Sequence, residues 1–385
     1  MNGQHNSDID GHRRKVLPRK RRGNDITASV YRLGAVGDRP LSAVSPDSPP
    51  IVQALRYGIT APSAHNTQPW HIEVMSDTEA QVYFDPDRLL PATDPPGRQV
   101  HISHGTLLEM TAIAATHLGY RAEIELLPEG GMTLGEYGTK PTAYLSLIAD
   151  PQVSKDPLFS QVLLRRSSRL PHTPQPITDD ERAAITAAAT RPGVEPGWIP
   201  AQRMAEAIEL VIQGMAVEVG GYGTFEETNQ WWRFSDAEIA TKGDGLNAET
   251  AGVTGLTLFA LRTITRPGNW HRWFNRAGYL NAFAKVARST QALFTLVTPA
   301  NTIADWITTG RSYVRAQLTA GGYNLRFHPV SQTLQEFPHM DPLRARMDAF
   351  VNVTPPAKLQ MLVRVGHTQP PALSPRRDLQ DIVRP

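Results

Sequence analysis

Apolar and polar positions along this chain follow one order of patterns and then repeat it. The stretch "IVQALRYGI" (51–59) has helical spacing, with Ser48 expected to cap it and Pro49 and Pro50 tolerated in the first turn. The polar stretch "APSAHNTQPW" (61–70) then reads as a loop. Alternation in "HIEV" (71–74) and "QVYF" (81–84) predicts a pair of strands. A long helix is expected over "HISHGTLLEMTAIAATHLGY" (101–120), followed by strands at 121–127 and 142–148. The second cycle runs in the same order: a helix at 179–190, a Pro/Gly loop "RPGVEPGW" (191–198), a long helix in 303–330 closed by Gly-Gly-Tyr, and a buried strand at 358–366.

The two cycles share local details. Gly119-Tyr120-Arg121 and Gly322-Tyr323-Asn324 each close a long helix and lead into an extended segment. "APSAHNTQPW" and "ATRPGVEPGW" (189–198) each follow a short helix and end on tryptophan. This self-similarity predicts an α+β protein made of two degenerate tandem halves, 41–164 and 165–385. Residues 1–40 stand before them as a basic tail and linker. An insertion at about 221–290 interrupts the second half and holds Trp231, Trp232, Trp270 and Trp273. Aromatics at that density either staple a subdomain together or face a flat ligand.

Composition narrows the chemistry. The 385 residues are 40% hydrophobic and 20% charged, ordinary for a chain that buries a core. There is no cysteine, which excludes disulfides, thiolate-bound metals and thiol nucleophiles. Any redox chemistry must therefore come from a cofactor. The net charge of +2 conceals an asymmetry, because "HRRKVLPRKRR" (12–22) carries seven Lys/Arg and no acid, leaving the rest net acidic. That arm is expected to be a solvated tail with at most non-specific attraction to nucleic acid or anionic lipid. Arg13-Arg14-Lys15-Val16-Leu17 resembles the start of a twin-arginine export signal, but Pro18 and more cations stand where an apolar run is required. With no run long enough to span a bilayer, the expected location is the cytoplasm.

Few motifs carry chemistry. His101 and His104 lie one helical turn apart without a carboxylate at metal spacing, and "GDGLNA" (243–248) is a truncated dinucleotide glycine pattern with no strand before it. Neither supports a site. The segment "RRSSR", Arg165 to Arg169, sets three guanidiniums around two hydroxyls, a pattern suited to an anion. "SPRR" (374–377) adds a second basic cluster. A phosphate-bearing cofactor with a polar ring would use both, together with the proline-stiffened loop.

These motifs resemble those of the flavin-dependent nitroreductase superfamily: "APSAHNTQPW" is similar to its Ala-Pro-Ser-x-x-Asn-x-Gln-Pro-Trp signature, and "RRSSR" to its Arg-x-Ser-x-Arg/Lys signature. Here the loop precedes the arginines, which open the second half. That order, the tandem halves and the closing "RVGHTQPPALSPRRDLQDIV" (364–383) resemble the Acg-type branch, in which one chain imitates the family's dimer. The resemblance implies a nitroreductase-like fold in a monomer acting as a pseudo-dimer. It implies FMN, with Arg165, Arg376 and Arg377 toward the phosphate, Arg166 among the cofactor-binding residues, Ser167 toward phosphate or ribityl oxygens, and Arg169 beside the polar edge of the ring. Ser63, Asn66 and Gln68 would contact the flavin from the other half, and the backbone of Pro329, Val330 and Ser331 would face its N5 and O4. It further implies NAD(P)H as donor and a small nitroaromatic or quinone-type acceptor in a ping-pong cycle, with no catalytic side chain. The alternative within the branch is flavin storage, with the insertion as a lid that excludes NAD(P)H. The mirror-image site, where Arg191, Val194 and Gly197 stand in place of the loop's polar residues, is expected to hold no flavin.

Overall fold

The computed structural model describes residues 41–253 and 273–384. The basic tail and Trp270 lie outside the described residues. The first half runs α1 (Pro50–Gly58), β1 (Trp70–Val74), β2 (Glu79–Phe84), α2 (Arg98–His117), β3 (Tyr120–Leu126), β4 (Ala143–Ala149) and the short α3 (Phe159–Val162). The second begins with α4 (Asp179–Ala189) and β5 (Glu195–Trp198). Among the described residues the helices α5 (Met204–Gly220), α6 (Tyr222–Gln230), α7 (Asp236–Lys242) and α8 (Trp273–Arg288) follow. It closes with β6 (Ala292–Thr298), α9 (Ile303–Gly322), β7 (Leu325–Pro329), α10 (Asp341–Phe350), β8 (Lys358–His367) and β9 (Val383–Arg384).

Two sheets result. The first has the order β3-β4-β2-β1-β9 and the second β5-β6-β8-β7. If β5, β6, β7 and β8 are matched to β1, β2, β3 and β4, both sheets have the same order and the same three antiparallel pairings. The exception is β9, which leaves the second half and pairs in parallel with β1, Val383 opposite Ile72.

The long helices α2 and α9 pack directly on each other at matching glycines. A Cβ on Gly105 would fall 1.9 Å from Ile307 O, and a Cβ on Gly310 would fall 1.9 Å from Ile102 O. Only glycine permits so close a backbone approach. The cores interlock there as well: Ile307, Val314 and Leu318 of α9 join the core under the first sheet, while Ile102 of α2 joins the core under the second. Each such residue buries apolar area worth about 1.5–3 kcal/mol, so neither sheet's core is complete without the other half's helix.

The structure corrects several local expectations. Ser48 does not cap α1; Pro49 occupies the cap position and makes no side-chain bond there. The loop read at 191–198 ends in strand β5, an edge position where Pro196 is tolerated. The long helix closes at Gly322 as Gly-Gly-Tyr predicts, and the extended segment expected after it is β7 at 325–329. The insertion starts earlier than 221, since α5 already lies between β5 and β6. No helix among the described residues is long and apolar enough to cross a membrane.

Candidate functional site

The loop at 61–70 is held in a strained form by α2. His65, Asn66 and Gln68 have φ of 47°, 56° and 51°, the left-handed region that costs about 1–3 kcal/mol for a non-glycine residue. Thr106 Oγ1 donates to Pro62 O at 2.6 Å, His104 Nε2 donates to Pro69 O at 2.8 Å, and Ala64 N donates to Ser103 Oγ at 3.1 Å. Ser63 Oγ accepts from Gln68 N at 2.9 Å across the turn. Burial pushes the His104 pKa down to about 4, so the ring serves as a neutral strut.

The two amides of the loop tie distant segments together. Asn66 Nδ2 donates to Gly245 O and Pro375 O, each at 3.2 Å, and its Oδ1 accepts from Arg376 at 2.6 Å. Gln68 Nε2 donates to Gly243 O at 2.9 Å while its Oε1 accepts from Arg377 N at 2.9 Å. Arg377 continues to Asp85 at 3.4 Å. The fragment "GDGLNA" therefore has a structural use. Gly243 and Gly245 take positive φ and pass so close to Arg376 O and Trp231 O that a Cβ would fall at 2.7 and 2.4 Å. Asp244 between them pairs with Arg88 and Arg233, both at 2.7 Å.

The arginine segment adds an extended stretch beside β7: Ser167 bridges Phe327 in parallel, and Ser168 N donates to Phe327 O at 3.0 Å. Extended backbone puts alternate side chains on opposite faces. Arg165 and Ser167 both meet Gln317 of α9, at 3.4 and 3.1 Å. Arg165 and Arg376 also donate to the same carbonyl, Thr60 O, each at 3.1 Å. Residues from the first-half loop, the arginine segment and the C-terminal cluster thus converge on one place. Burial pulls the Arg165 pKa down to about 10.

Arg169 makes no ion pair among the described residues, and desolvation lowers its pKa. Its charge reaches His65 of the loop, Tyr279 of α8, Tyr313 of α9 and His328 of β7. His65 is pushed down to about 4, first by burial and then by Arg169. Tyr279 is pushed up to about 12, first by burial and then by Glu218. A cation desolvated among neutral rings lacks the counter-charge that normally accompanies burial.

Next to this cluster, Val330 N donates to Leu362 O at 2.8 Å, so that donor belongs to the sheet, and Pro329 has none. Ser331 opens a short 3₁₀ turn, its Oγ buried without a hydrogen-bond partner among the described residues. Gln335 of the same segment donates to Glu218 of α5 at 2.7 Å. Burial raises the Glu218 pKa to about 7.

Arg191, of the second-half loop, lies 2.8 Å from Glu109 of α2, which also holds Arg311 at 2.8 Å and Arg315 at 3.1 Å. Arg315 extends the network to Asp156 at 2.8 Å. Desolvation opposes the charge on Glu109, but the three guanidiniums outweigh it and the pKa is lowered. In the insertion, Trp232 packs with Leu246 and Ala248, and Trp231 lies under Arg88 and Arg233 with guanidinium carbons 5.8 and 5.5 Å from its ring.

Sequence reasoning missed Gln317, Tyr313, Tyr279 and Glu218, and the side chain of His328. Tyr313 and Gln317 had a signal available, since i and i+4 polar groups on a long apolar helix share a face.

No protein-family profile matches the chain. A Mycobacterium tuberculosis protein provisionally named an NAD(P)H nitroreductase is 26% identical over 355 residues, covering 90% of this chain and 94% of its own. The protein of that organism named acg, provisionally also an NAD(P)H nitroreductase, is 26% identical over 209 residues, covering 50% of this chain and 60% of its own. Among solved structures, a mutant of the FMN- and NADPH-dependent nitroreductase NfnB from Sphigopyxis aligns at 15% identity and a TM-score of 0.37. That alignment covers 59% of this chain and 97% of the other. This chain is thus similar over nine-tenths of its length to one mycobacterial protein provisionally named an NAD(P)H nitroreductase, and over half of its length to acg.

Proposed function

We propose that the chain is an FMN-binding oxidoreductase of the nitroreductase type. It would use NAD(P)H to reduce small flat acceptors of the nitroaromatic or quinone class, with one flavin site assembled between the halves of a duplicated fold. The observation that carries this reading is Arg169, a desolvated cation without an ion pair among the described residues, in electrostatic reach of the first-half loop, α8, α9 and β7. The residues fit FMN. Arg169 supplies the positive charge that the polar edge of an electron-rich ring requires, and Arg165 and Arg376, which share Thr60 O, suit the phosphate. Ser63, Ser167 and Ser331 offer hydroxyls, Ser331 with a buried oxygen awaiting a partner. FMN, when bound, supplies the centre that accepts hydride and passes electrons on.

The other residues of the sequence motifs act at one remove. Asn66, Gln68 and Arg377 hold the loop at the C-terminal segment, and Pro329 and Val330 stiffen the wall before Ser331. Tyr279 and Glu218 bring the insertion to the site and shield it from water. A second reading, flavin storage under a lid, is favoured by the latch at Glu227 of α6, which accepts from Ala92 N and Thr93 N of the first half at 2.8 and 2.9 Å.

The test is spectroscopic. The purified chain should be yellow, release about one FMN per chain and bleach under anaerobic NADPH or NADH. Stable flavin with negligible reduction would favour storage. A colourless protein that takes up no added FMN would end both readings.

A further inference from the structure

We infer that a cleft at the β7 edge of the second sheet is a separate anion site, built for a phosphate-class ligand. Because Ser167 bridges Phe327 in parallel register, the residues before them, Arg166 and Arg326, lie side by side. Like charges in such a cross-strand position repel. Burial disfavours the charge on Arg326, and Arg166 disfavours it further. Both arginines line a cleft of about 500 Å³ in which no lining residue is acidic.

At this cleft, Nε of Arg326 and Nε2 of His367 are buried without a hydrogen-bond partner among the described residues, His367 being only 8% exposed. A phosphate oxygen satisfies such donors and brings negative charge to Arg326, and a guanidinium suits it better than an ammonium does. The carboxyl end of α9 also borders the cleft at Gly321 and Gly322. Its dipole, equivalent to roughly −0.5 charge, offsets only part of the two adjacent full cations. The volume is that of a small-molecule site, so the phosphate can be carried on an organic body. Separateness from the proposed flavin site rests on the lining. It contains no residue of the 61–70 loop and neither Arg376 nor Arg377; Arg165 and Gln317 belong to both places, and the Arg165 guanidinium meets Gln317 at 3.4 Å and Thr60 O at 3.1 Å.

The experiment is calorimetric titration of the full-length, FMN-loaded chain with inorganic pyrophosphate at fixed ionic strength, with released flavin measured in parallel. Saturable binding of about one pyrophosphate per chain is expected. Arg326→Gln should weaken it at least about tenfold, the effect of losing one charge-assisted hydrogen bond, with flavin content unchanged. Arg166→Gln should weaken it similarly, and Arg326→Lys should recover only part of the affinity. No saturable binding to the loaded wild type overturns the inference. So does binding that FMN displaces, which would make the cleft part of the flavin site, or equal affinity in the glutamine variants. The wild-type titration and the FMN competition decide the matter even if a variant does not fold.

Discussion

Gly310→Ala puts a methyl group where α9 touches α2. The added Cβ would fall 1.9 Å from Ile102 O and 3.0 Å from Gly105 Cα, both backbone atoms that no rotamer change can move. Ordinary contact begins near 3.4 Å, so the helices must part locally by roughly 1.5 Å. A gap of even 0.5–1 Å forfeits about a quarter to a half of the dispersion energy across it, and the side chains concerned, Ile102, Ile307, Val314 and Leu318, complete both cores. Overpacking costs about 1–3 kcal/mol by itself, and alanine's better helix propensity returns only about 0.8–1 kcal/mol. With the lost contacts added, the net loss should be about 2–4 kcal/mol. The control is Gly278→Ala in α8, where no atom beyond its own stretch of helix lies within 4 Å of the new Cβ and up to about 1 kcal/mol should be gained. Thermal melting followed by far-ultraviolet circular dichroism compares the two. The same displacement shifts Tyr313 and Gln317 away from Ser167, so the Gly310 variant should also release flavin faster. Equal melting temperatures for both variants would refute the close crossing and the reciprocal cores built on it.

Glu109→Gln removes the anion that serves three guanidiniums and should destabilise the chain by about 3–5 kcal/mol, measured by urea unfolding. A loss below about 1 kcal/mol would mean that the network is no more than a surface ion pair. Glu218→Gln tests the buried carboxyl. Its folded pKa, about 7, lies above its ordinary 4.5, so the native state holds the proton more tightly and wild-type stability falls as pH rises from 4.5 to 7. The variant lacks that decline and should gain about 2.5 kcal/mol relative to wild type between pH 5 and pH 8; a parallel pair of stability curves would contradict the burial argument. Gln68→Ala should slacken the hold on residues 243 and 377 and speed FMN loss without changing the absorption maximum of the bound flavin, whereas a shifted spectrum would show direct contact with the ring.

Much of the fold was legible because periodicity is local. Helices α1, α2, α4 and α9 and strands β1 to β4 and β8 lie within a few residues of where apolar spacing puts them. β5 was not legible: "EPGW" carries a proline and a glycine and is a strand only because β6 pairs with it, Trp198 opposite Phe294. Composition marked the arginine segment, since no simple turn uses three guanidiniums and two hydroxyls. The work of Asn66 was hidden, because its partners lie 179 and 309 residues away and nothing local encodes such a contact. Arg191 was visible as a departure from the loop pattern, but its partner Glu109 sits within the long α2, where the surrounding apolar residues gave no hint of three cations.

The most direct measurement is the flavin released per chain by heat or acid, quantified by absorbance against protein concentration for the wild type and for Arg169→Ala. One site across two halves predicts about one FMN per wild-type chain. It also predicts a soluble, correctly melting Arg169→Ala variant that binds FMN about 1.5–3 kcal/mol more weakly and is pale after dialysis. About two FMN per chain, or an Arg169→Ala variant that keeps its full complement, would contradict it.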